Sequence, residues 1–372
     1  MRKRLPAAVV AAGAMAGVIG MSAPTAEAAP APQYRLVLGS ATTLEYRGIN
    51  AHGDIIGLGT DPSSQGREKG FILKAGSKTP VFLNAPGSGA SLREETRALS
   101  INDQGMVVGR YGKVVVFPGG VAEVPRPVSW QGPGATGTDL GVNPTGTAEA
   151  LGVNDKQQIV GTQGGIAGTP WLKQGPTVTN LPLFPGGRTG EALAVNGTGV
   201  VVGDAAQANG DKLAAQWVNG NLSSLGSLNG GPSAEALAIN TAGQAVGDAL
   251  PPGAPPNLPH AVLYANGKAV DLNVPGTGTN SARAAAINSH GDIVGEDGVI
   301  PPLDLVGSGN GFLYRNGHAT ELNTLIAPTR NVRLAEATGI NDAGHIVGIA
   351  AVTAPDGSQS SVGYELVPLS AR

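Results

Sequence analysis

The chain has no cysteine among its 372 residues. It therefore has no disulfide, no thiolate nucleophile and no cysteine-bound metal, and its fold must rest on packing and chain closure. Aromatic residues make up 4% of the sequence, charged residues 14%, and there are five histidines. No G-x-S-x-G elbow, P-loop or H-E-x-x-H pair occurs, and sialidase-type S-x-D-x-G-x-T-W boxes are missing, so no catalytic or metal-binding motif is recognisable. An excess of positive charge is missing as well. The 24 basic and 27 acidic residues give a formal net charge of -3, with no cationic sheath for a nucleic-acid backbone.

Long apolar runs are absent except at the start. There Arg2, Lys3 and Arg4 precede an apolar stretch and the small-residue site Ala26-Glu27-Ala28. This pattern predicts a secretory signal peptide over residues 1–28, too short for a membrane span, followed by one domain over 29–372. Removing it takes away three basic residues and one acidic residue, leaving 21 against 26. The expectation is a secreted, mildly acidic monomer without stable membrane insertion.

Glycine and proline are abundant instead, at 58 and 28 residues, a profile of many turns and short strands. Ten-residue stretches recur seven times: GINAHGDIIG at 48, SINDQGMVVG at 100, GVNDKQQIVG at 152, AVNGTGVVVG at 194, AINTAGQAVG at 238, AINSHGDIVG at 286 and GINDAGHIVG at 339. Their asparagines, Asn50, Asn102, Asn154, Asn196, Asn240, Asn288 and Asn341, are spaced by 52, 52, 42, 44, 48 and 53 residues, about 49 on average. In I-N-x-x-G the asparagine can accept from backbone nearby and the glycine supplies a positive φ, a hairpin signature.

After each terminal VG come a variable loop, an apolar stretch such as GFILKAG or HAVLYANG, and a short segment such as VDLN. Each unit thus predicts four strands. The last unit, ending in VGYELVPL, lacks an outer strand, whereas Tyr34 to Leu38 precedes the first motif without a unit of its own. Pairing these ends closes a ring and removes exposed edges. The expected fold is an all-β, seven-bladed β-propeller.

These motifs resemble the secreted bacterial HAF-repeat proteins, whose pattern is an A-x-x-I-N-x-x-G-x-x-V-G hairpin followed by an H-A-F-x-x-x-x-G strand. HAVLYANG at 260 is close to the second half, while GFLYRNG and GFILKAG lack its histidine. The resemblance spans the mature chain and implies architecture, not activity. Overall likeness, carried by no single motif, extends to secreted actinobacterial protein inhibitors of phospholipase D. It implies a non-catalytic protein without cofactor whose partner is an exported hydrolase such as phospholipase D. The alternative is a cell-surface or carbohydrate-binding, lectin-like propeller.

Five residues before the asparagines stand Glu45, Arg97, Glu149, Glu191, Glu235, Arg283 and Glu336. Around an axis these form a charged ring at one mouth of the channel. One reading is ion pairing between neighbouring units, each pair contributing roughly 0–1 kcal/mol. The other is that Glu149, Glu191 and Glu235, unmatched in repeat order, receive a basic group of a partner. Asp103, Asp155 and Asp342, next to the asparagines, suit turn-stabilising roles, and His52, His290 and His345 read as turn residues without metal-ligand spacing. Trp171 and Trp217 suit the core, and Trp130, in a proline-rich stretch, is a candidate sugar platform. The loops after each VG range from RYGK at 110 to EDGVIPPLDLVGSGN at 296 and should share one face. The segment with Arg330 and Arg333 is expected on the opposite face, as a second partner contact.

Overall fold

The computed structural model describes residues 31–39, 44–64, 66–87, 95–117, 120–165, 168–275, 281–298 and 309–370. The expected signal peptide and positions 299–308 of the longest loop lie outside them. Pro32–Arg372 form one compact unit. No helix among the described residues is long and apolar enough to cross a membrane.

The fold is all-β and repeats one four-stranded antiparallel meander. In the unit of Asn240 the strands are Ser233–Ile239, Ala245–Leu250, His260–Ala265 and Lys268–Asp271. Equivalent meanders carry the other six asparagines. Three stand as separate sheets, and the remaining four join in twos through single parallel residue pairs, Lys69 with Thr96 and Lys212 with Ser233. In the last unit the strands Val332–Ile340, Ile346–Thr353 and Gln359–Pro368 take their fourth member from the other end of the chain: Tyr34–Leu38 pairs antiparallel with it, Leu38 opposite Tyr364 and Arg35 opposite Val367.

Each motif spans the first two strands. The asparagine carbonyl accepts from the N–H three residues on, as in Gly53 to Asn50 at 3.0 Å. Glycine at this place has φ of +80° to +94° in six units, and in the unit of Asn154 the position is Gln157, with φ +58°. The first strand does not keep period two to its end. A bulge at the third residue before the asparagine shifts the register in every unit, for example between Ala236 and Ala238. The VG glycine follows from this close approach. A Cβ on Gly57, Gly203 or Gly247 would fall 1.9–2.0 Å from the carbonyl oxygen of Glu45, Glu191 or Glu235.

Cores fill the spaces between neighbouring units. Phe71, Trp171, Trp217, Phe312 and Tyr364 are fully buried on third strands. So is Trp130, which lies on the third strand Gly120–Trp130 and donates from Nε1 to the Asn84 carbonyl at 2.8 Å. This corrects its reading as a sugar platform: its stretch belongs to the repeat, and burial removes its stacking face. Val347 of the last unit packs with Leu44, Tyr46 and Phe71 of the first, and Thr338 Oγ1 donates to the Tyr46 carbonyl at 2.9 Å.

The expected short RYGK loop is also corrected. The strands Val107–Phe117 and Gly120–Trp130 pair from Val107–Trp130 to Phe117–Gly120, a single long hairpin without an intervening loop at 110. Three consecutive valines at 114–116 favour the extended backbone that continues the ladder there.

Candidate functional site

The seven asparagines meet in a cycle. Each is 3–6% exposed, and each Nδ2 donates to the backbone carbonyl of the next asparagine, from Asn50 through Asn102, Asn154, Asn196, Asn240, Asn288 and Asn341 back to Asn50, at 2.8–3.2 Å. Each Oδ1 accepts from the backbone N–H four residues on at 2.8–3.0 Å. Donor and acceptor of every amide are thus used, which is what burial of this group demands. The sequence alone assigns these residues to their own turns; the bonds between units depend on the assembled ring.

At this end of the units lies a cavity of about 270 Å³, lined by the Ile or Val before each asparagine, the asparagine itself and the residue after it. Asp103, Asp155 and Asp342 were expected to stabilise their own turns. Instead their Oδ1 atoms accept from the preceding unit, from the N–H of Ala51, Asp103 and Ser289, each at 2.8 Å. Turn capping belongs to the asparagine, whose Oδ1 already fills that place. His345 Nδ1 lies 2.7 Å from Glu365 Oε1, and no group of three His, Asp or Glu side chains suited to a metal forms among the described residues.

The opposite end carries the charged column. Antiparallel pairing sets a second column beside it: Glu191 faces Asp204, Glu235 faces Asp248, Arg283 faces Glu296 and Arg97 faces Arg110. This second column is the residue directly after each VG, as in VGD at 204 and 248, and that is the signal from which it could have been found. It supplies ion-pair partners. Arg110 Nη1 lies 2.7 Å from Glu149 Oε1, and Arg283 Nε lies 2.8 Å from Asp248 Oδ2. Glu235 stands 3.9 Å from both Lys212 and Arg283. Glu149 and Glu235 are therefore not unmatched: Glu149 meets Arg110 of a second strand, and Glu235 lies between Lys212 of a third strand and Arg283 of the first-strand column.

Charge is nevertheless incompletely compensated around Asp204. Its side chain is fully buried, and neither oxygen has a hydrogen-bond donor. Lys212 Nζ stands 3.4 Å from Oδ1, close enough for ion pairing but poorly directed. Burial, reinforced by Glu235 and Glu191 against the opposing Lys212, pushes the Asp204 carboxyl up to about 7. Burial and Glu336 push Glu296 up to about 7, against Arg283 and Arg47. Glu191 is raised by burial, against Lys212 and with Glu235 and Glu149. Such raised carboxyls sit where acidic groups crowd in partial isolation from water.

Arg330 and Arg333 do not lie on the opposite face. In a four-stranded antiparallel meander the second-to-third and fourth-to-first connections leave the same edge. Accordingly the Arg333 guanidinium donates to the carbonyl of Gly309, in a second-to-third connection. Arg330 is exposed in the link between His318–Glu321 and Val332–Ile340. Glu149, Glu191, Glu235, Arg330 and Arg333 thus share the edge that carries the long connections.

No family model matches the chain, and no curated protein matches it. Among solved structures it is similar to a puromycin-hydrolyzing peptidase of Mycobacterium tuberculosis, at 12% identity and a TM-score of 0.35, with 82% of this chain and 57% of that chain covered. The chain spans little more than half of that structure's length, and a likeness at this level bears on neither fold nor activity.

Proposed function

We propose that the chain is a HAF-repeat protein whose seven meanders are the blades of a seven-bladed β-propeller, exported by a signal peptide over residues 1–28. It acts outside the cell as a non-catalytic binding protein, an inhibitor of an exported hydrolase such as phospholipase D. The observation that carries this reading is the arrangement of charge on one edge. Acidic groups of two adjacent columns, with Glu191 beside Asp204 and Glu235 beside Asp248, outnumber the cations among them, and all long connections emerge around them. A rigid scaffold presenting unequal loops about an acidic mouth suits a target whose active-site entrance is basic, as an entrance that binds phosphate must be. Inhibition is steric: the loops cover the entrance while the carboxylates pair with its cations.

The test is titration of a secreted phospholipase D with the chain from Ala29 onward. A stoichiometric loss of activity with a one-to-one complex is expected, weakened about tenfold in a Glu191→Gln, Glu235→Gln double variant of unchanged melting temperature. Unchanged enzyme activity at a large excess of the chain overturns the inhibitor reading. Retention of the chain on immobilised glycans instead would favour the lectin-like alternative.

A further inference from the structure

Seven turns of one design line the cavity at the asparagine end, so a difference among them is one of chemistry rather than architecture. The residue after each asparagine directs its backbone N–H around the ring towards its counterpart in the next unit. Where that counterpart is an aspartate the N–H is taken, as Ala51 by Asp103, Asp103 by Asp155 and Ser289 by Asp342. The N–H groups of Asp155, Gly197 and Thr241 instead face Gly197, Thr241 and Ser289, and they have no acceptor among the described residues. Three adjacent donors therefore stand open on one arc of the cavity, and the N–H of Asp342, which faces Ala51, is a fourth, set apart from them by Ser289.

An unpaired backbone N–H at a concave surface is a donor for an oxygen acceptor. Asp103, Asp155 and Asp342 stand on the same rim and disfavour a second carboxylate there, since like charges repel. An uncharged carbonyl meets no such repulsion. The girdle of isoleucine and valine side chains beneath the arc accepts an aliphatic group, and the cavity of about 270 Å³ holds a single side chain with its amide.

We infer that this cavity is a binding site for an uncharged aliphatic amide, the carbonyl oxygen accepting from an N–H group of the arc formed by Asp155, Gly197 and Thr241 and the aliphatic part resting on the Ile/Val girdle. A free small amide and a peptide segment with a branched aliphatic side chain share this chemistry. The site is distinct from the acidic edge, at the other end of the meanders.

The chain's own repeats supply the test. Gly197→Asp, Thr241→Asp and Ser289→Asp together extend the aspartate collar and should take the three open N–H groups internally. A Cβ added at Gly197 meets nothing within 4 Å, so the change is sterically free there. Amide resonances of the intact protein are followed by NMR while isovaleramide, isovalerate or N-acetyl-valine methylamide is added. Isovaleramide should shift Asp155, Gly197 and Thr241 saturably, and the collar variant should bind it at least about tenfold more weakly, the loss expected when hydrogen bonds are removed. If the triple variant does not fold, Gly197→Asp alone should still weaken binding about threefold. The methylamide binding more tightly than isovaleramide identifies a peptide as the source, and the reverse a free amide. The inference is overturned if these three amides do not shift, if the collar variant binds equally well, or if isovalerate binds more tightly than isovaleramide.

Discussion

Asn341 Nδ2 donates to the carbonyl of Asn50 at 3.1 Å, across 291 positions of sequence, in the same geometry by which Asn50 donates to Asn102 at 3.1 Å across 52. The contact that joins the two ends of the repeat array is thus chemically the same as the six within it. What differs is the chain entropy of making it, since a longer loop costs more to close.

Replacing Asn196 by Asp keeps the acceptor for the Val200 N–H but removes the donor to the Asn240 carbonyl and sets a buried negative charge against it. A loss of about 2–4 kcal/mol is expected in denaturant unfolding. Asn341→Asp should cost at least as much. A loss below about 0.5 kcal/mol for both would mean that the ring of amides does not hold the units together.

Gln157 occupies the turn position that glycine holds in the other six units, at φ +58°. Gln157→Gly should relieve the left-handed strain and raise stability by about 0.5–1 kcal/mol, after the greater freedom of glycine in the unfolded chain is set against it. A fall in melting temperature would show that the Gln157 side chain, which donates to Gln104 Oε1 at 3.3 Å, contributes more than its backbone costs.

Gly203→Ala would bring a Cβ to 1.9 Å from the Glu191 carbonyl oxygen. The first and second strands cannot both keep their register, and a loss of about 3 kcal/mol or more, or failure to fold, is expected. Gly197→Ala, with open space around it, is the control and should change stability by less than about 1 kcal/mol.

The Asp204 carboxyl, held at about 7 against an ordinary 3.8, binds its proton more tightly in the folded than in the unfolded chain. Its favourable contribution is complete below about pH 4 and is lost as the pH rises through 7. Asp204→Asn should therefore match the parent near pH 4 and exceed its stability by about 2–4 kcal/mol near pH 8. Glu296, raised in the same direction, should behave likewise in Glu296→Gln. Equal pH profiles for parent and Asp204→Asn would show that Lys212 compensates the charge fully.

The repeat, the hairpin turn and the complementary ends were legible because each is written in residues close in sequence. Asn240 and Gly243 make their turn from local backbone preference alone, and Tyr34–Leu38 stands out as a strand lacking neighbours in its own unit. The charged column was legible for the same reason, being one residue per repeat. Its partners were not. Asp204 and Asp248 come beside Glu191 and Glu235 through a register that the bulge resets, and period-two counting carries no sign of that bulge.

The sequence by itself determined the number of units and the turn that each asparagine and glycine makes, because these depend on backbone preference. The tertiary structure decided what the same residues do to one another. It turned seven turn asparagines into one cycle of donors, buried Trp130, moved Arg330 and Arg333 to the acidic edge, and left N–H groups open where the next unit lacks an aspartate. Each of these depends on which residue stands opposite in a neighbouring unit, and such distances are set by packing between units rather than by the order of residues within one.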